Sequence, residues 1–257
     1  MPTFVNLPVE LLYEIQLFAT SPTFPQTCKT LHQIFKSSPS SYRAQYLVAC
    51  MDVSRTREHA ILTKMLRYPI CNKDVLEAYF RIASTDAAKG WAPELPKRLF
   101  RSLAAKSGLR KADKWSDRDH PLPFLRYLYS SPHLRPPAAN SHDGYPLTKA
   151  VQAGFIPLVR FLLDQGATPD WKDNLPVNVA IHRKDLRLVK MLVERMDTGK
   201  TVDDSRAKRK RRRLEDRVAV TPEMLRTAVR CKAHDIVEYF TKEKGCIPDM
   251  QTLLLMQ

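Results

Sequence analysis

Apolar positions in the second half of the chain recur with a helical period, and then recur again as a block. Leu147, Ala150 and Val151 stand at i, i+3 and i+4. Val177, Ala180 and Ile181 repeat that spacing, as do Leu225, Ala228 and Val229, so each triad marks one face of a helix. Eight residues after each alanine a second apolar run begins, at Leu158, Leu188 and Ile236. These runs read Leu158-Val159-Arg160-Phe161-Leu162-Leu163, Leu188-Val189-Lys190-Met191-Leu192-Val193 and Ile236-Val237-Glu238-Tyr239-Phe240, with i, i+1, i+4 and i+5 expected to be buried. A small alanine side chain lets the partner helix approach closely. Pro146 and Pro176 suit a first helical turn, where the missing N–H has no partner in any case. The pattern predicts three helix–turn–helix pairs, the third set apart by an insertion at about 197–217.

Upstream, Pro123-Phe124-Leu125-Arg126-Tyr127-Leu128-Tyr129 aligns with Pro157–Leu163 without a gap. Its partner helix is expected at Leu95–Lys106, with Leu109–Asp119 as an inserted loop. Arg57–Arg67 and Lys73–Ala83 also read as short helices, the second with Asn72 as N-cap. Stacked repeats need about three units and caps to be stable, which favours an array extending back toward residue 55. At the N-terminus, Leu7, Leu11, Leu12 and Ile15 share one helix face behind Asn6, a candidate cap. A break at Ser21-Pro22-Thr23-Phe24-Pro25 precedes a second short helix, Cys28–Phe35, which stops near Pro39. So small a hairpin has too little core to stand alone and must pack on the rest of the chain or on a partner. The expected architecture is all-α: a helical hairpin at 4–50, a divergent helical region at 51–120, and stacked helix–turn–helix repeats at 121–257.

Composition narrows the function. The chain has 257 residues, 42 Lys+Arg and 27 Asp+Glu, for a net charge of +15, but that charge is uneven. Residues 51–140 hold 17 basic and 9 acidic side chains, while 218–257 hold 5 of each. Residues 200–217 hold 9 basic and 4 acidic, including the run Arg206-Ala207-Lys208-Arg209-Lys210-Arg211-Arg212-Arg213. That run lacks apolar periodicity and repels itself, so it reads as a solvated insertion, with Lys208, Arg209, Lys210, Arg211, Arg212 and Arg213 as a candidate nuclear-import signal. No aromatic residue interleaves it, and nucleic acid is not the expected partner.

There are 7 Gly against 19 Pro, and no two glycines are adjacent or one apart. Loops that cradle phosphates need such clusters. Thr198-Gly199-Lys200-Thr201 resembles the end of one, but Glu194 occupies the position of its first glycine. No apolar run approaches a membrane span, and Met1–Asn6 lacks the pattern of a signal peptide. Five scattered cysteines suit a reducing compartment, cytoplasmic or nuclear, rather than a disulfide framework. The seven histidines form no i, i+4 pair and no zinc-ligand spacing, so no metal or cofactor is expected. Cys28 or Cys231 as a nucleophile would require a positioned base, which the sequence does not identify; packed thiols and no catalytic residues are expected.

The segment Asp143-Gly144-Tyr145-Pro146-Leu147, followed by Leu162-Leu163 and Gly166-Ala167, resembles ankyrin repeats. It departs from them where Thr-Pro-Leu-His becomes Tyr-Pro-Leu-Thr at 145–148 and Leu-Pro-Val-Asn at 175–178. The resemblance implies partner binding through turn tips, here His142, Asp143, Tyr145, Trp171, Lys172, Asp173 and Asn174. Trp171 stands out as an aromatic anchor, or else as packing for the neighbouring tip.

The N-terminal residues Leu7, Pro8, Glu10, Leu11, Leu12 and Ile15, with Cys28, Lys29 and Leu31 further on, resemble an F-box, although Leu31 stands where that family usually has Trp. This implies that Leu7, Pro8, Glu10, Leu11, Leu12, Ile15 and Leu31 dock on a Skp-type adaptor of a cullin ubiquitin ligase. The combination is similar to fungal-type F-box/ankyrin proteins. The expected function is a non-enzymatic protein–protein interaction module, an adaptor that presents a second protein to the ligase. Two other readings stay open: a plain repeat scaffold whose hairpin is a structural cap, and a basic nuclear or nucleic-acid-associated protein.

Overall fold

The computed structural model describes residues 6–51, 58–83, 92–106, 115–195 and 216–256. They are helical, and among them extended pairing is limited to two isolated bridges, Glu94 with Ala138 and Glu194 with Asp216. Two compact units emerge, one from the described parts of 1–96 with 123–138, the other from those of 97–122 with 139–257.

The first unit opens with α1 (Val9–Ala19), a 3₁₀ turn at Phe24–Gln26, α2 (Lys29–Lys36) and α3 (Ser40–Ala49). The expected two-helix hairpin therefore has a third helix, because Pro39 starts α3 at its N-cap rather than only ending α2. Pro8, not Asn6, caps α1, and no side chain helps it. Cys28 caps α2, its Sγ accepting from the Leu31 amide at 3.5 Å. α1 packs on α3 and α3 on α5 (Lys73–Ala83), so the N-terminal helices share a core with the segment that follows. Leu12, Leu31, Ala44 and Leu47 are buried in it, beside Tyr13 stacked on Tyr42 at 4.2 Å between ring centres. The helix α4 (Glu58–Arg67) contributes Met65 and Leu66 to the interior. Asn72 caps α5 as expected, its Oδ1 accepting from the Val75 amide at 3.0 Å.

The second unit begins with α6 (Arg98–Lys106), three residues later than expected. α6 packs on α8 in its own unit, whereas most of α7 (Leu122–Ser130) belongs to the first unit, so these two do not form a repeat pair. From there the pairs follow the periodicity: α8 (Ser141–Ala153) with α9 (Ile156–Asp164), α10 (Trp171–His182) with α11 (Leu186–Val193), and α12 (Pro222–Arg230) with α13 (His234–Glu238), which runs into a π-helical turn at Tyr239–Glu243. α8 packs on α10 and α10 on α12, and α14 (Met250–Met256) packs on α12.

The turns inside the pairs are alike in detail. Gly154, Lys184 and Lys232 all adopt left-handed φ, at 68°, 55° and 54°. The amide of each donates three residues back, to Val151, Ile181 and Val229. The next amide donates five residues back, to Ala150, Ala180 and Ala228. These are the paired hydrogen bonds that close a helix on a left-handed residue, the position glycine favours. The three alanines of the sequence pattern are therefore buried at the point where each helix turns back. Leu147, Val151, Val177, Ile181 and Leu225 are buried as the triads predict, while Val229 is only half-buried. All four expected positions of α9 and of α11 are buried; in the third copy Ile236 and Phe240 are, Val237 and Thr241 are half-buried, and Tyr239, outside the expected set, is buried.

Where the insertion leaves and rejoins the chain, Glu194 and Asp216 pair, the Arg217 amide donates to Val193 O at 2.7 Å, and Lys244 bridges Glu194 at 3.2 Å and Asp216 at 2.8 Å.

Candidate functional site

Two surfaces carry the residues singled out from sequence, one in each unit. On α1 Leu11 and Phe18, seven residues apart on one face, are 44% and 89% exposed, and Leu7, just before the Pro8 cap, is 36% exposed. Val9 is exposed, Ile15 half-buried, and Pro8, Glu10 and Glu14 lie exposed around them. Leu12 and Leu31, expected on a docking face, are instead core residues: Leu12 points one hundred degrees away from Leu11 on the helix, as the 3.6-residue period requires, and meets the interior. Gln16, one turn on, is buried; its Nε2 donates to Ser21 O at 2.9 Å. Phe18 was missed by the sequence reading, although continuing the Leu7–Leu11 stripe by seven residues finds it.

In the second unit the tips at 142–144 and 172–174 have the same unusual backbone. His142, Asp143 and Gly144 have φ of 54°, 57° and 73°; Lys172, Asp173 and Asn174 have φ of 51°, 55° and 60°. Each is a left-handed turn of three residues, after which a right-handed helix resumes at Tyr145 and Leu175. A left-handed conformation costs a residue with a Cβ about 1–2 kcal/mol, less for Asn and Asp, whose short side chains bond locally. Bracing offsets that cost. Thr148 Oγ1 donates to Gly144 O at 3.0 Å, and thirty residues later Asn178 Nδ2 donates to Asp173 O at 3.1 Å.

The two tips touch. A Cβ on Gly144 would come within 3.1 Å of Trp171 Cβ, so the indole lies directly against the glycine while the residue stays 41% exposed. Lys172 and Asp143 pair at 3.5 Å across the tips, both well exposed. Tyr145 is half-buried, with the Lys97 and Lys149 ammonium groups 5.6 and 5.8 Å from its ring centre. The tip face therefore presents an aromatic side chain and charges of both signs on two left-handed turns.

Cys231 departs from the packed thiol that its sequence suggests. It is half-buried at the C-cap of α12, and His182 Nδ1, from the end of α10, lies 3.2 Å from its Sγ. The imidazole that contacts it comes from the adjacent helix pair rather than from its own turn. The import candidate Lys208–Arg213 lies outside the described residues. Among the described residues no helix is long and apolar enough to cross a membrane.

No family model matches the chain, and comparison with curated proteins and with solved structures likewise gives no match.

Proposed function

We propose that the chain is a non-enzymatic interaction module in which α1 engages a Skp-type adaptor and ankyrin-like helix pairs hold a second protein through the tips at 142–145 and 171–174. The observation that carries this reading is the uncovered apolar surface of Leu11 and Phe18 on α1, with Leu7 exposed just before the helix. Large apolar side chains aligned on one exposed helix face, rather than scattered singly, favour a partner helix. The near-identical turns at Gly154, Lys184 and Lys232, and the matched tips thirty residues apart, support the repeat assignment. A second reading, α1–α3 as a structural cap, is supported by the burial of Leu12 and Leu31 and by the packing of α3 on α5.

The test is direct binding of the purified chain to a purified Skp-type adaptor. The triple substitution Leu7→Ala/Leu11→Ala/Phe18→Ala should weaken binding by at least about a hundredfold, since aromatic and aliphatic anchors carry most interface energy. Its melting temperature should stay close to that of the parent because the three side chains are exposed. Absence of binding by the parent chain, or equal binding by the triple variant, refutes the adaptor role of this face and leaves the cap.

A further inference from the structure

The clearest unused chemistry in the molecule lies at the ends of two neighbouring first helices. Cys231 closes α12 and His182 closes α10; because those helices pack on each other, the thiol and the imidazole meet at 3.2 Å. His182 is exposed and Cys231 half-buried, so small molecules can reach the pair. The two turns also carry four cations in sequence beside it, Arg183 and Lys184 next to His182, and Arg230 and Lys232 next to Cys231. Lys184, Arg230 and Lys232 are exposed, and the left-handed turns fix the backbone from which both lysines project. Asp185 and Asp235 are the carboxylates of the same turns, and Asp185 is engaged in capping α11, its Oδ1 accepting from the Leu188 amide at 3.1 Å.

The other cysteines lack this setting. Cys71 is buried. Burial pushes the thiols of Cys50 and Cys246 up from their ordinary range, which disfavours the reactive thiolate. Cys28 has an amide rather than an imidazole as its hydrogen-bond partner, its Sγ accepting from Leu31 at the N-terminus of α2.

We propose that Cys231 and His182 form a modification site, a thiol activated by an adjacent base and reactive toward anionic low-molecular-weight disulfides of the glutathione type. The thiolate is the attacking species in disulfide exchange, and a hydrogen-bonded imidazole supplies it by accepting the proton. The step is balanced within the site. The Sγ proton passes to His182 Nδ1, and Sγ attacks one sulfur of the small disulfide. A new S–S bond to Cys231 forms as the old S–S bond breaks, and the departing thiolate takes a proton from the imidazolium. Arg183, Lys184, Arg230 and Lys232 flank the pair in sequence. Those cations raise the local concentration of an anionic reagent, which sets the substrate class.

The fully reduced chain is exposed to glutathione disulfide at neutral pH, and the rate of mixed-disulfide formation at each cysteine is read by peptide mass spectrometry. Cys231 should react at least about tenfold faster than Cys50 and Cys246. His182→Gln should slow Cys231 by about tenfold or more while leaving the rates at the other cysteines unchanged. The paired change Arg230→Gln/Lys232→Gln should slow glutathione disulfide about threefold but leave uncharged 2-hydroxyethyl disulfide unaffected. Should His182→Gln fail to fold, the site-resolved rates of the parent and the two-disulfide comparison still decide. Cys231 reacting no faster than Cys50 and Cys246, an unchanged rate in folded His182→Gln, or equal slowing of both disulfides each overturns the proposal.

Discussion

α1 and α9 are both amphipathic helices, yet they end in opposite circumstances. In α9 every residue of the apolar set, Leu158, Val159, Leu162 and Leu163, is buried, because α8 covers it and the turn at Gly154 fixes the angle between them. In α1 only Leu12 and Gln16 are fully buried, while Leu11 and Phe18, with Leu7 just before the helix, face solvent. Helical periodicity says which residues share a face but not what lies opposite. A repeated pair brings its own cover; α1 has more apolar surface than α3 and its neighbours occupy.

The strongest way to break the contrast is to shorten one leucine in each helix. Leu158→Ala removes a fully buried side chain between packed helices and should cost about 2–5 kcal/mol, the range for leucine cavities. Leu11→Ala should change stability by less than about 0.5 kcal/mol, as surface substitutions do. Urea unfolding of the two variants checks this. A large loss from Leu11→Ala would mean that the stripe is covered within the chain and would remove the motive for a docking face.

A smaller effect is expected at the tips, where the second unit relies on backbone geometry rather than side-chain burial. Gly144 holds a φ of 73° and supports Trp171, leaving 3.1 Å to the indole's Cβ where a methyl group would sit. Gly144→Ala combines left-handed strain with that contact and should cost about 1–2 kcal/mol. It should also move Trp171, so its fluorescence emission should shift along with the lowered melting temperature. An unperturbed spectrum would show that the indole does not depend on the tip for its position.

Both contrasts bear on what the chain discloses before folding. The alternation of alanine with aliphatic residues at 147–193 foretold the pairs and their buried sets, because two helices that cover each other leave a strong periodic trace. The weaker elements were lost where one residue serves two roles. Pro39 reads as a stop but also starts α3. The match of Pro123–Tyr129 to α9 is real as a helix, yet its partner α6 packs elsewhere, since a shared pattern does not specify which face finds which. At the candidate site the glycine at 144 was legible, but left-handed His142, Lys172 and Lys184 were not; each takes a backbone conformation that its own side chain disfavours. His182 and Cys231 are separated by 49 residues, and only the packing of α10 on α12 brings them together.

The smallest effect concerns α14, which tests whether exposure belongs to the first unit or to terminal helices in general. α14 leaves Leu253, Leu254 and Leu255 exposed, as α1 leaves its stripe, although it belongs to the unit of the covered pairs. Its attachment is largely polar. Asp249 Oδ1 accepts from the Thr252 amide at 2.8 Å and from Thr252 Oγ1 at 2.5 Å, while Oδ2 pairs with Arg226 of α12. The hydroxyl and amide of Thr252, and then Arg226, hold the Asp249 carboxyl at about 2, below its ordinary value of 3.8. A carboxylate depressed in the folded state stabilises it fully above its unfolded pKa, and that contribution disappears as pH falls through the folded value. α14 should therefore stay docked above about pH 4 and loosen progressively toward pH 2. Amide protection at 250–256, corrected for intrinsic exchange, should fall over that window. In Asp249→Asn, which cannot ionise, protection should be lower at pH 5 and should not fall further through the acid window. Protection that stays constant in the parent down to pH 2 would mean that α14 is held by its apolar contacts, as α9 is, and that its exposed leucines are incidental to the way it docks.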